Sequence, residues 1–336
     1  MANIAFIPVR GGSKSIPLKN IKELAGKPLV YWTARAANNA KCIDKVIIAT
    51  DSAEIKNVVL QFDDLKKIEI YDRDQQNAQD ASSTESVMLE YIKKSNLSQD
   101  DYFFLIQATS PLLESQHIEE MFSKMVTNGA DSALSCVRNK RFYWSDDGKS
   151  LNYDYKSRPR RQDFNGLLME NGACYINTVG NILIDKNRLS GKISVYEMPE
   201  YTAVEIDEPI DFLMIERIMT EHRKQTRPTG NVFCFDIDGV LGEKTDIKYM
   251  DGDYSKNTPN KPFIQICNEL YDSGNTIVIH TARGSGTGKD WAEITKKQLE
   301  KWGVKYHKIY FGKPAADYYV DDKAMTREML LKGEYF

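Results

Sequence analysis

The sequence predicts two α/β layer structures in tandem: a doubly wound, mainly parallel sheet over residues 1–226, then a small Rossmann-like α/β domain over residues 229–336. Three observations carry this. At 336 residues the chain exceeds the usual size of one hydrophobic core, since domains typically run to ~100–200 residues. Short apolar runs bounded by turn residues alternate with helix-period stretches, the pattern of βα units feeding a parallel sheet. A charged, proline-containing segment at 221–230 (EHRKQTRPTG) breaks that alternation, as a boundary between domains does.

Taken in order, residues 3–9, 45–49, 67–71 and 102–107 read as buried strands. Between them, 28–39, 52–61 and 84–94 carry helical spacing, with Ser52 and Ser83 placed to cap the second and third of these helices, where a side-chain oxygen accepts an orphan backbone N–H. Strands at 132–137 and 172–177 are separated by the polar, basic stretch 139–171, which reads as an inserted arm able to reach a neighbouring subunit. A helix starts near Pro209. Beyond the break come a strand at 232–236, a helix at 262–273, a strand at 276–280, a helix at 290–302 and a strand at 319–320. No internal repeat or low-complexity tract interrupts the series.

Composition narrows the function classes. With 41% hydrophobic and 28% charged residues the chain is that of an ordinary globular protein. Its 45 basic and 48 acidic side chains give a net charge of −3, so there is no global positive field for a nucleic-acid backbone and any phosphate binding is local. The five cysteines (Cys42, Cys136, Cys174, Cys234, Cys267) show no CxxC or Cys/His spacing, which argues for reduced thiols rather than zinc or disulfides. The start, MANIAFIPVRGG, has only a five-residue apolar stretch, too short for a signal peptide. No run approaches the ~18–20 apolar residues that cross a bilayer. A soluble, cytoplasmic protein without membrane partners is expected.

The first strand leads into RGGSKSIPLKN. There Gly11 and Gly12 let the backbone turn and, with Ser13, present N–H groups to anionic oxygens, while Arg10, Lys14 and Lys19 add positive charge. Alone, this reads first as a basic surface turn; it is neither a P-loop nor a GxGxxG fingerprint. In VEIDEPID, alternation along a strand puts Glu205 and Asp207 on one face, a spacing suited to a shared hard cation.

Read as a whole, IPVRGGSKSIPLKNIKELAGKPLVYWTARAA resembles the N-terminal signature of acylneuraminate cytidylyltransferases, which make CMP-sialic acids, and of relatives that activate Kdo. The resemblance continues in order through VIIATDS, Arg73 ahead of DASSTESV, LIQATSPLL, RPRRQDF, ENGACYI and VEIDEPIDF, about 220 residues in all. It implies that Arg10, Lys19 and Asn20 contact the nucleotide phosphates, and that Gln107 and the turn Ala108, Thr109, Ser110, Pro111 lie near the base and ribose, with Arg73 assisting. It also implies that Gln162 and Asn171 line the sugar pocket, with Arg160 and Arg161 beside them. The family commonly presents two aspartates where this chain has Glu205 and Asp207; the resemblance makes them ligands for Mg²⁺, the expected cofactor.

In VFCFDIDGVL, Asp236 and Asp238 follow an apolar strand and Gly239 turns the chain away. Both carboxylates would project at the strand's C-terminal edge, where open α/β sheets bind ligands. One can attack phosphorus while the other manages the leaving-group proton. DxDG alone is also compatible with a calcium-type turn or a capped strand end. With Thr281 of HTARG, Lys313 of GKP and Asp321 and Asp322 of YVDD, the run resembles the haloacid dehalogenase superfamily in order. That resemblance implies a Rossmann-like domain in which Asp236 is the nucleophile and Thr281 binds a phosphoryl oxygen. Lys313 offsets the aspartyl-phosphate charge, and Asp236, Asp238, Asp321 and Asp322 surround Mg²⁺. About 42 residues separate Asp238 from Thr281, room for a small flap but not a large cap.

The two resemblances together imply a bifunctional, homo-oligomeric enzyme, dimer or tetramer. It would convert CTP and a nonulosonic acid to a CMP-sugar and pyrophosphate, and its second domain would dephosphorylate a sugar-acid precursor. The alternative keeps the cytidylyltransferase but gives it Kdo, a phosphonate or another acidic metabolite, with the C-terminal domain as an oligomerisation module.

Overall fold

The computed structural model describes residues 1–12, 15–74, 77, 82–225, 229–243, 254–314, 316 and 322–332. Ser13, Lys14, Asp321, the expected strand at 319–320 and the boundary residue 226 lie outside the described residues. The chain divides into two compact units, Met1–Thr220 and Glu221–Phe336, and the division falls inside one helix.

In the N-terminal unit β1 (Asn3–Pro8) leads through a short hairpin, β2 (Glu23–Leu24) and β3 (Lys27–Pro28), into α1 (Leu29–Asn39). Then follow β4 (Lys45–Thr50), α2 (Ala53–Val59), β5 (Ile68–Asp72), α3 (Thr84–Lys94), β6 (Tyr102–Ile106) and α4 (Ser115–Thr127). The unit closes with β7 (Ser132–Asn139), β8 (Leu167–Thr178), α5 (Val179–Asp185), β9 (Ile193–Met198) and α6 (Pro209–Gln225). Seven strands form one sheet in the order β5-β4-β1-β6-β8-β7-β9. The pairs β1/β4, β1/β6, β4/β5 and β7/β9 are parallel; β8 runs antiparallel to both β6 and β7.

Alternation along β1 sets the layers, because successive side chains of a strand point to opposite faces. Ala5 and Ile7 join Val46, Ile48, Phe104 and Ile106 in a core that also holds the apolar sides of α1 and α4. Ile4 and Phe6 join Ile47, Phe103 and Leu105 in a second core with Val87, Met88 and Ile92 of α3 and Val179 and Ile182 of α5. Helices therefore cover both faces. Ser52 and Ser83 do cap α2 and α3, accepting from Ile55 N at 3.4 Å and Ser86 N at 3.1 Å. The arm at 139–166 has two short 3-10 turns, Tyr155–Ser157 and Arg161–Asp163. Its return leg is strand, since β8 begins at Leu167, five residues before the expected start.

The C-terminal unit places β10 (Val232–Phe235), α7 (Lys261–Asp272), β11 (Thr276–Thr281), α8 (Ala292–Lys301), β12 (Lys308–Phe311) and α9 (Arg327–Lys332) in that order. The three strands are parallel and lie in sequence order. Phe235, Ile237, Ile277 and Ile279 pack with Phe263, Cys267 and Leu270 of α7 and Leu299 of α8. Among the described residues, no helix is long and apolar enough to cross a membrane.

Candidate functional site

In the N-terminal unit strand order reverses at β1, with β4 on one side and β6 on the other. A crevice outside the carboxyl ends of the strands at such a switch point is where open α/β sheets take ligands. The segments that follow β1, β4, β5 and β6 all contribute here.

After β1, Val9 N still bonds Ala49 O at 2.8 Å, so the chain leaves the ladder only at Arg10. Gly11 N then donates to Asp51 Oδ1 at 3.1 Å. A Cβ on Gly11 would stand 2.9 Å from the Ser52 Cβ, so a glycine is what lets the loop lie against the end of β4. Asn20, buried on the 3-10 turn Lys19–Ile21, donates from Nδ2 to Arg10 O at 3.1 Å. Its side chain thus braces the loop from behind. Among the described residues, Gly12 has no neighbour that a Cβ would meet.

Arg73, just past β5, bonds Thr50 O through its backbone N–H at 3.0 Å. Its Nη2 donates to Asn77 O at 2.7 Å, and the Asn77 amide is held by Glu90 at 2.8 Å. Among the described residues the buried Arg73 Nε has no hydrogen-bond partner. Burial, joined by the like charge of Arg10, holds this guanidinium below its ordinary pKa against the pull of Asp51 and Glu90. A buried, unsatisfied N–H beside a second arginine is what a phosphate oxygen satisfies.

Past β6, Gln107 N bonds Ala173 O, and Ser110 N returns to Gln107 O to close the turn; Ala108 and Ser110 are buried in it. Thr109 O accepts Ile206 N at 3.0 Å, which draws the VEID segment to the same place. Alternation predicts a strand there. Residues 204–207 instead form an extended coil between a 3-10 turn and α6, because Ile206 N is taken by a turn carbonyl rather than a ladder partner. The alternation survives: Ile206 is fully buried and Glu205 and Asp207 flank it. Lys19 Nζ donates to Ile206 O at 2.7 Å and sits 3.5 Å from Asp207 Oδ1. Burial, then the charges of Asp207 and Glu170, raise the Glu205 pKa against the opposing Lys19.

Gly172 lies in β8 with φ +67°, and a Cβ there would meet Gln107 Oε1 at 2.8 Å and Glu205 Oε1 at 2.9 Å. The site therefore joins Arg10, Gly11, Asn20 and Arg73 to Gln107, Thr109, Glu205 and Asp207 through Lys19. Asp51, Glu170 and Gly172 were not singled out by sequence reasoning. A glycine inside a strand, which marks a bulge or a close approach, was the available signal for the last.

Of the expected sugar-pocket residues, Asn171 lies inside the wall of the site and Arg160, Arg161 and Gln162 lie exposed on the arm. Asn171 is 1% exposed; its Oδ1 accepts from Ser135 Oγ at 2.8 Å and its Nδ2 reaches Met198 Sδ and Thr202. It is a brace inside the wall, a correction that follows from its buried amide having to be satisfied by protein groups. Arg161 is exposed on the arm and pairs with Glu200 at 2.8 Å. Arg160 and Gln162 are exposed as well.

In the C-terminal unit the chain leaves β10 at Asp236. Its Oδ1 accepts the Ile237 N–H at 2.7 Å and its Oδ2 accepts Lys313 Nζ at 2.6 Å. Lys313 is brought there by its backbone N–H on Thr281 O at 3.2 Å. Gly239, at φ +85°, reverses the chain so that Gly242 N bonds Ile237 O at 2.7 Å. Thr281 is buried and its Oγ1 accepts from Arg283 N at 3.2 Å. Asp236, Asp238, Thr281 and Lys313 thus gather at the carboxyl edge of a parallel sheet.

Asp238, expected as a Mg²⁺ ligand, has its carboxylate bound by Arg283, Nε to Oδ2 at 2.8 Å and Nη2 to Oδ1 at 2.7 Å, with Asn257 Nδ2 on Oδ1 at 2.8 Å. The planar guanidinium matches the carboxylate with two parallel bonds. Arg283 and Asn257 were missed, lying 45 and 19 residues from Asp238. Asp322 is exposed. Among the described residues no group of three or more His, Cys, Asp or Glu side chains could by itself hold a metal ion.

Comparison with known proteins adds the following. A family profile described as cytidylyltransferase matches residues 4–234. The chain is 38% identical to an N-acylneuraminate cytidylyltransferase of Oncorhynchus mykiss, over 63% of this chain and 49% of that one. It is 27% identical to the N-acylneuraminate cytidylyltransferase of Streptococcus agalactiae serotype III, over 64% of this chain and 52% of the other. A pseudaminic acid cytidylyltransferase of Campylobacter jejuni is 27% identical over 62% of this chain and 91% of its own. The chain spans about half the length of the N-acylneuraminate relatives it matches.

Proposed function

The chain belongs to the cytidylyltransferase family, and from that premise we propose that its Met1–Thr220 unit transfers the cytidylyl group of CTP to a nonulosonic, sialic-type acid. The observation that carries the reading is the convergence at the β1 switch point: the Gly11 loop, Arg10 and the unsatisfied Arg73 Nε on one side, Gln107 and the Glu205–Asp207 pair on the other. The anomeric hydroxyl oxygen of the acid bonds to the α-phosphorus of CTP and its proton passes to solvent, while the bond from that phosphorus to the bridging oxygen breaks and pyrophosphate leaves with the electron pair. Arg10, Arg73 and the loop N–H groups balance the charge that builds on the phosphates. Such stabilisation by pre-placed donors is the main resource a protein has for phosphoryl chemistry.

Glu205 and Asp207 fit Mg²⁺. They are hard oxygen donors whose mutual repulsion a cation relieves. Mg²⁺ also takes one or two carboxylates and completes its shell with substrate phosphates and water. When bound there it would polarise the phosphoryl oxygens. Lys19, tied to Ile206 O, holds the carboxylate segment against the loop.

The test is pyrophosphate release with CTP across Neu5Ac, KDN, legionaminic acid and Kdo, with and without EDTA. Release with the sialic-type acids, abolished by EDTA, is expected. Equal turnover with UTP removes the basis for a cytidylyl donor, and preference for Kdo moves the acceptor to the alternative class.

For the Glu221–Phe336 unit we propose a phosphatase acting on a phosphorylated sugar-acid precursor. The Asp236–Lys313 pair beside Asp238 and Thr281 supports it. An Asp236 oxygen bonds to phosphorus and the ester oxygen leaves, taking a proton from Asp238. Water then adds to the aspartyl-phosphate, returns that proton and releases phosphate. The described residues do not by themselves assemble a cation site in this unit, and these steps are written through its side chains alone.

A further inference from the structure

We propose that Asp51 is a positioning residue for cytidylyl transfer: with Asn20 it clamps the Arg10–Gly11 peptide unit and so sets the direction in which the rest of the glycine loop presents its N–H groups. The proposal rests on the cytidylyltransferase reading of the Met1–Thr220 unit.

Two bonds from different elements fall on one peptide plane. Asn20 Nδ2 donates to Arg10 O at 3.1 Å, and Gly11 N donates to Asp51 Oδ1 at 3.1 Å; Arg10 O and Gly11 N are the two ends of the same amide. That plane would otherwise turn over easily, because a residue without Cβ accepts φ of either sign. Asn20 is 7% exposed, on a 3-10 turn whose backbone closes by itself through Ile21 N on Leu18 O and Lys22 N on Lys19 O. Asp51 stands just past β4, where Thr50 Oγ1 accepts Ser52 N at 3.1 Å, Thr50 O accepts Arg73 N at 3.0 Å, and Ser52 caps α2. Both arms of the clamp are therefore anchored in structure that does not depend on the loop.

With the Gly11 N–H engaged, the loop donors that meet phosphate come from Gly12 onward. Gly12 is exposed, and among the described residues nothing stands within 4 Å of where its Cβ would be. A carboxylate repels a triphosphate, so Asp51 needs a reason to stand in this crevice. The bond it accepts from Gly11 supplies one, and its charge also steadies that of Arg73 against burial. Donors fixed in advance need no rearrangement when charge builds on the phosphates. A loop free to turn over at Gly11 would lose that advantage while keeping every donor.

The experiment uses the full chain and reads kcat/KM for CTP by pyrophosphate release, with the acceptor acid saturating. Asp51→Ala and Asn20→Ala are each expected to lower kcat/KM by roughly tenfold, the order of donors misplaced but still present. Either loss alone frees the plane, so the double variant is expected to lose little more than the worse single variant, not the product of the two. Asp51→Asn keeps an acceptor oxygen and drops the charge; it is expected to stay within about threefold of wild type, and its contrast with Asp51→Ala carries the test if an Asn20 variant does not fold. Single variants at the wild-type rate, losses that multiply in the double variant, or an Asp51→Asn variant as slow as Asp51→Ala each overturn the proposal while leaving the cytidylyltransferase reading in place. A wild-type protein that releases no pyrophosphate from CTP overturns that reading and this proposal with it.

Discussion

Both units set their chemistry at the carboxyl edge of parallel strands, but they balance charge differently. In the C-terminal unit, among the described residues, Asp236 meets Lys313 and Asp238 meets Arg283. In the N-terminal unit burial, with the like charge of Arg10 added, holds the Arg73 pKa down against Asp51 and Glu90, and burial, with Asp207 and Glu170, raises that of Glu205 against Lys19. The first arrangement is complete before substrate arrives. The second sets like charges near one another with partial counter-charges from Asp51, Glu90 and Lys19, and a ligand that brings both an anion and a cation would complete it. That suits a metal–triphosphate, and it makes the two sites separable by mutation.

The strongest way to break the comparison is Asp236→Asn. Phosphate release should vanish, because an amide cannot form the acyl phosphate. Cytidylyl transfer should stay within about threefold of wild type, since each site is built from its own strands and the substitution preserves volume. Both activities are read on one preparation whose oligomer mass is checked. Loss of transfer in a folded variant would mean that the sites are coupled; persistent phosphate release would remove Asp236 as nucleophile.

Next in size is Arg10→Ala, expected to slow transfer by roughly 10²-fold, the scale set when one charge-stabilising donor is lost. A rate near wild type would place the phosphates elsewhere than on the Gly11 loop.

Much of this was legible in the sequence, for identifiable reasons. The inner strands β1, β4 and β6 are buried on both faces, so they read as unbroken apolar runs. The glycine loop and the DxDG turn are local, and a local motif survives in one dimension. β12 (KIYF) was not anticipated: it is four residues long and only half-buried. VEID alternates like a strand, and only Thr109, nearly a hundred residues away, decides that it pairs with a turn. Arg283 and Asn257 carry no periodicity that points at Asp238. Asn171 was assigned to the pocket by its neighbours in the motif, yet the bulge between β7 and β8 at Leu134 and Cys136 turns it inward to Ser135.

Gly172→Ala is the smallest of these effects and the one that sharpens the comparison most. The residue is held at φ +67°, a conformation that costs any other L-residue about 1–2 kcal/mol, so a modest fall in melting temperature is expected. Its new methyl would press on Gln107 Oε1 and Glu205 Oε1, at 2.8 and 2.9 Å, and both are ends of flexible side chains that can swing aside. The fold tolerates that movement, but the site does not, because Glu205 is displaced from Asp207 and Gln107 from the nucleotide. Transfer should fall roughly tenfold, the order expected of misplaced groups that are still present. Raising Mg²⁺ should recover part of the loss if Glu205 holds the cation. Phosphate release should not change. A variant that loses stability but transfers at the wild-type rate would show that Gln107 and Glu205 do not act where Gly172 brings them together, and the crevice beside β8 would lose its place in the site.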